Sequence, residues 1–107
     1  MERIKKLADE IMDELCSAKE YAEKYLTYKA KGASGSSDKD YDTWAKKFYE
    51  MAEDELKHGS YLHDLTVEEI DELRKVYTPP QEMLEKWESD HKKYIEKAAW
   101  IKQMLAM

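Results

Sequence analysis

From Glu2 to about Ala30 the apolar residues Ile4, Leu7, Ile11, Leu15, Ala18, Ala22 and Tyr25 recur in steps of three and four. That is the repeat of one helix face, and it predicts a first long helix over about 2–30. The stretch KGASGSSDKD then interrupts the pattern. Gly32 and Gly35 supply turn chemistry there, and Ser37 or Asp38 is suited to cap the next helix, so a loop is expected over 31–39. A second helix is predicted over about 40–65. Its apolar seam reads Trp44, Phe48, Met51, Glu55, His58 or Gly59, Leu62 and Leu65.

Thr66 followed by Glu69 has the spacing of a capping box, which predicts a break and a short connecting helix over about 67–77 with Ile70 and Leu73 inward. Thr78-Pro79-Pro80-Gln81 offers a second cap, with prolines where a first turn tolerates missing N–H groups. A third long helix is expected over about 79–105. Its seam runs Leu84, Trp87, His91, Tyr94, Ala98, Ile101 and Leu105, and its other face pairs Glu82 with Lys86 and Glu88 with Lys92 at i,i+4. The expected fold is all-α: an antiparallel bundle of three long helices and a short connector in a single domain, 1–107.

Composition narrows the function classes. Of 107 residues 39% are charged, and the 18 basic ones are scattered among 24 acidic ones for a net charge of −6. No basic stripe is available to displace counterions from a phosphate backbone, so nucleic acid is not expected as a partner. No apolar run approaches the roughly 18–20 residues that cross a bilayer, so no membrane span is expected. The single cysteine, Cys16, cannot form an internal disulfide, and the N-terminus alternates charged with apolar residues. Together these predict a cytoplasmic protein. Cys16 lies off the apolar stripe without a histidine near it in sequence, and is assigned no role. His63 also falls off the predicted seam and reads as surface.

Candidate chemistry lies where polar residues replace apolar ones on the seams. Residues three apart on a helix are about 60° apart around its axis, so Glu55 and His58 can both aim into a bundle centre. Glu88 and His91 repeat the spacing on the third helix, with His91 at the seam centre and Glu88 nearer its edge. On the first helix Glu14 lies among Ile11, Leu15 and Ala18, and counting back from the loop sets it at the height of Glu55. If the third helix runs antiparallel to the second, His91 falls near the level of His58. A carboxylate in an apolar interior needs a partner, and a metal ion is one.

With these residues the chain resembles the ferritin-like superfamily of carboxylate-bridged di-iron proteins, whose bundles carry a Glu on two helices and E-x-x-H on the other two. The matching residues are Glu55 with His58, Glu88 with His91, and Glu14 as a lone glutamate; the DELKH run is the nearest match. The resemblance implies a metal site of Glu14, Glu55, His58, Glu88 and His91 that holds iron or manganese. It further implies oxidation of Fe(II) by oxygen or peroxide. The family has four long helices where three are predicted here, so one bridging glutamate is missing; pairing of two chains as a homodimer would supply it. The run VYTPPQEMLEKWESDHKKYIEKAAWIKQML is also similar to small prophage-encoded proteins of Gram-positive gut bacteria, a likeness that implies no mechanism.

Two bland readings stand beside the metal site. Glu55 with His91, or Glu14 with His58, would form a metal-free hydrogen-bonded network that fixes helix register. Alternatively, the bundle is an interaction module presenting an acidic surface or an uncovered apolar stripe to a protein partner.

Overall fold

The computed structural model describes residues 2–34, 40–76 and 78–107. The expected capping residues Ser37 and Asp38, most of the Gly/Ser loop and Tyr77 lie outside the described residues. Three helices follow one another: α1 over Glu2–Ala33, α2 over Asp40–Val76 and α3 over Gln81–Ala106. They form a rod of 62 × 17 × 17 Å. Among the described residues no helix is long and apolar enough to cross a membrane.

The break expected at Thr66 does not occur, and among the described residues there is no connecting short helix. Helix α2 runs unbroken through it for 37 residues. Thr66 is fully buried, and its hydroxyl donates backward to the Leu62 carbonyl at 2.8 Å. A cap residue must leave the helical conformation and accept from an N–H ahead of it. With neither glycine nor proline nearby to break the ladder, Thr66 stays helical and bonds to the turn behind.

The start of α3 is also shifted. Thr78 does not cap it; Pro80 occupies the N-cap position with φ −57° and ψ 141° and makes no side-chain cap bond. The reason is local. Pro79 precedes another proline, which pushes it out of the α region, so helical geometry cannot begin before Pro80. The Pro80 carbonyl then accepts from the N–H groups of Met83 and Leu84 at 3.1 and 3.3 Å.

On α1 the buried residues are Ile4, Ile11, Leu15, Ala18 and Ala22, all on the predicted face. On α2 the buried line is Ala45, Ala52, Gly59, Thr66 and Ile70. Its first four members are seven residues apart, the seam of a coiled coil, and all are small. Small residues let α1 approach closely: a Cβ placed on Gly59 would sit 3.8 Å from Leu15 and 4.0 Å from the Cβ of Glu14. The larger residues expected to fill this seam lie one position earlier, about 100° around the helix. Trp44, Met51 and Leu65 are accordingly 43%, 40% and 49% exposed. Trp44 and Phe48 pack instead beside Tyr28, where the Tyr28 and Phe48 rings are 5.6 Å apart.

Consecutive helices are antiparallel. Arg3 near the start of α1 pairs with Glu69 near the end of α2 at 3.1 Å. Helix α3 returns alongside α1 in the same direction: Lys97 approaches Cys16 at 3.3 Å, and Lys29 donates to the carbonyl of Met107. Ala98, Ile101, Met104 and Leu105 bury against Ile11, Leu15, Ala18 and Ala22 of α1, and Ala52 of α2 completes the core. Fully burying a leucine or isoleucine contributes about 1.5–3 kcal/mol, so Leu15 and Ile101, both at zero exposure, anchor the packing.

Candidate metal centre

The buried line of α2 decides which side chains meet. Because Gly59 lies under α1 at the level of Glu14, the residues flanking that line, Glu55 and His58, flank Glu14 as well. The Nδ1 of His58 is 3.6 Å from Oε2 of Glu14 and 3.8 Å from Oε2 of Glu55. One ligand atom from each of the three residues lies within 4.8 Å of the others. The group is half open to solvent: the side chains of Glu14 and Glu55 are 30% and 23% exposed, and that of His58 is 55% exposed.

Neither contact is a hydrogen bond, which would need about 3.2 Å or less. The spacing suits an ion better. A metal about 2.1 Å from each donor would see the imidazole nitrogen and the two oxygens at angles of about 120–130°, somewhat wider than tetrahedral. Three donors also leave coordination positions on the open side.

Not every expected ligand joins this group. Glu88 is exposed on α3. His91 packs on His63, with ring centroids 4.7 Å apart, and on Trp87 at 5.6 Å. The level expected for His91 depends on α2 ending at residue 65. With α2 continuing to Val76, the start of α3 lies further along, and His91 comes level with His63 rather than His58. Glu55 therefore faces Glu14 and His58, not His91. Among the described residues the group suited to an ion consists of Glu14, Glu55 and His58.

His63 corrects the sequence reading. Its side chain is only 20% exposed, and its Nε2 is buried with no hydrogen-bond partner among the described residues. Its ring lies against Tyr94 at 4.9 Å, nearly parallel, as well as against His91. The spacing Gly59, His63, Thr66, Ile70 is the signal that would have found it. Tyr94 lines the same stack. Burial raises its phenol above the ordinary value and the charge of Asp64 adds to this, while a hydrogen bond with Ser60 opposes it. At the outer edge Lys86 reaches Asp90 at 2.9 Å, a bond that raises the lysine above its usual value at an exposed site.

Comparison of the chain with protein-family models, curated proteins and solved structures finds no match. The fold and the site thus define the class by themselves. This is a small three-helix, all-α protein with a partly exposed Glu-Glu-His group that could hold a metal ion.

Proposed function

We propose that the chain binds a divalent transition-metal ion through Glu14, Glu55 and His58. The observation that carries this reading is the convergence of one imidazole and two carboxylates, from two helices, with one donor atom of each within 4.8 Å of the others. Two hard oxygens with one nitrogen suit iron(II) or manganese(II). In the finer form of the proposal the bound metal is iron, and the open side of the group admits oxygen or peroxide to oxidise it; the E-x-x-H spacing of Glu55 and His58 supports that form. A homodimer is supported by exposed Trp44, Met51 and Leu65, which share a seven-residue spacing with His58.

The test is calorimetric titration of the purified chain with Mn(II), and with Fe(II) under nitrogen. One ion per chain is expected. Glu55→Ala and His58→Ala abolish binding, whereas His91→Ala leaves it within twofold. Binding releases protons and tightens as pH rises, because the donors must be deprotonated. A wild-type chain that takes up neither ion would overturn the proposal.

A metal-free reading is favoured by the same two close approaches, since a protonated His58 would pair with both carboxylates. Under that reading Glu14→Gln weakens the fold at low salt, and the ions above change nothing. Half-exposed pairs of this kind contribute about 1 kcal/mol or less, so the metal titration is the sharper discriminator.

A further inference from the structure

A groove of about 260 Å³ opens between the first turns of α1 and the start of α3, at the end of the rod away from the loop joining α1 to α2. Its walls are apolar: Ile4 and Ala8 on α1, Met83 and Trp87 on α3. Ala8 leaves the space. A larger side chain at that position would fill the gap between the helices.

Trp87 is the partition. It lines this groove and also the slot that holds His63, His91 and Tyr94. Its ring is within 7° of parallel to His91, which stacks on His63 at a tilt of 24°, and His63 lies within 12° of parallel to Tyr94, so a stack of rings ends at Trp87 beside the groove. A planar ring in the groove would extend it by offset stacking, with the Met83 thioether as a further aromatic contact.

The rim selects on charge. Glu2 and Lys5 stand on one lip, Lys86 and Asp90 on the other, so acids and bases balance. Lys86 is already neutralised by Asp90 at 2.9 Å. With no net charge at the rim, a charged ligand would give up its hydration on entering the apolar groove without gaining a partner. The volume is below that of usual ligand sites, roughly 300–1,000 Å³, and admits one or two fused rings rather than a large ligand.

We propose that this groove binds an uncharged planar aromatic molecule of one or two rings, stacked on Trp87. Neither the metal group nor its occupancy enters this proposal. The experiment is a titration of the whole 15N-labelled chain with indole, read at the three tryptophan indole N–H signals. Saturable movement of the Trp87 signal below about 1 mM indole is expected, with Trp44 and Trp100 unmoved. Indole-3-acetate and tryptamine should bind at least tenfold more weakly.

Ala8→Leu should abolish the shift while far-UV circular dichroism stays that of the wild type. Should that variant fail to fold, Met83→Ala, which widens the groove on the exposed side, should weaken indole binding at least threefold. The proposal is overturned by no movement of Trp87 up to 1 mM, by equal movement of all three tryptophans, or by the charged analogues binding as well as indole. It is also overturned if octanol at equal concentration moves Trp87 more than indole does, since the groove would then accept acyl chains rather than rings.

Discussion

Replacing Gly59 by alanine tests the packing of α1 on α2 at its closest point. A glycine inside a helix costs about 1 kcal/mol relative to alanine, mostly in backbone entropy. The gain is realised only where the added methyl has room. At Gly59 the new Cβ would lie 3.8 Å from Cδ2 of Leu15, 3.9 Å from Cε2 of Tyr94 and 4.0 Å from Cβ of Glu14, all ordinary contact distances. No neighbour has to move. Gly59→Ala should therefore stabilise the fold by about 1 kcal/mol, which for a chain of this size raises Tm by about 4–8 °C. Thermal unfolding followed by circular dichroism gives the shift, and urea unfolding should give an unchanged m-value. Leucine at the same site would instead overpack the seam and cost about 1–3 kcal/mol. If alanine lowers stability by more than about 0.5 kcal/mol, the helices are closer at Gly59 than described, and the placing of Glu14 beside His58 fails with them.

Three further outcomes rest on the same geometry. Val67→Pro separates a continuous α2 from a capped break at Thr66: proline is welcome at a first helical position but costs about 3 kcal/mol in a helix interior, so urea unfolding should show a loss of that size. Leu15→Ala, at a fully buried site, should cost about 2–5 kcal/mol in the same assay. Tyr94 holds its proton more tightly in the fold than in the unfolded chain, so its contribution is complete below about pH 10 and is lost as pH rises through the raised folded value. Wild type and Tyr94→Phe should then lose stability differently between about pH 9 and 11, the phenylalanine variant less; identical slopes would refute the assignment.

Much of the architecture is legible in the residue pattern. The α1 face is readable because its buried positions Ile4, Ile11 and Leu15 are both large and apolar, so hydropathy and contact coincide. The grouping of Glu14 with Glu55 and His58 is readable from a three-residue spacing and a count along two antiparallel helices. On α2 size and contact part company. Trp44, Met51 and Leu65 dominate any hydropathy pattern, yet the close approach is made by Ala45, Ala52, Gly59 and Thr66, whose value lies in being small. That same one-residue rotation turns His63 inward, where hydropathy alone leaves it on the surface. The Thr66 and Thr78 caps fail for a different reason. Their spacing is right, but a cap also needs a backbone free to leave or enter the helix there, and burial at Thr66 and the Pro79-Pro80 pair at Thr78 forbid it.

All three donors of the Glu-Glu-His group belong to the first two helices, and α3 contributes none. A change on the third helix therefore removes no donor from the group. Glu14 and Tyr94 share a neighbour at Gly59, where both stand over a residue without a side chain. A methyl there would touch both, so Gly59 is the point at which the first and third helices meet across the second.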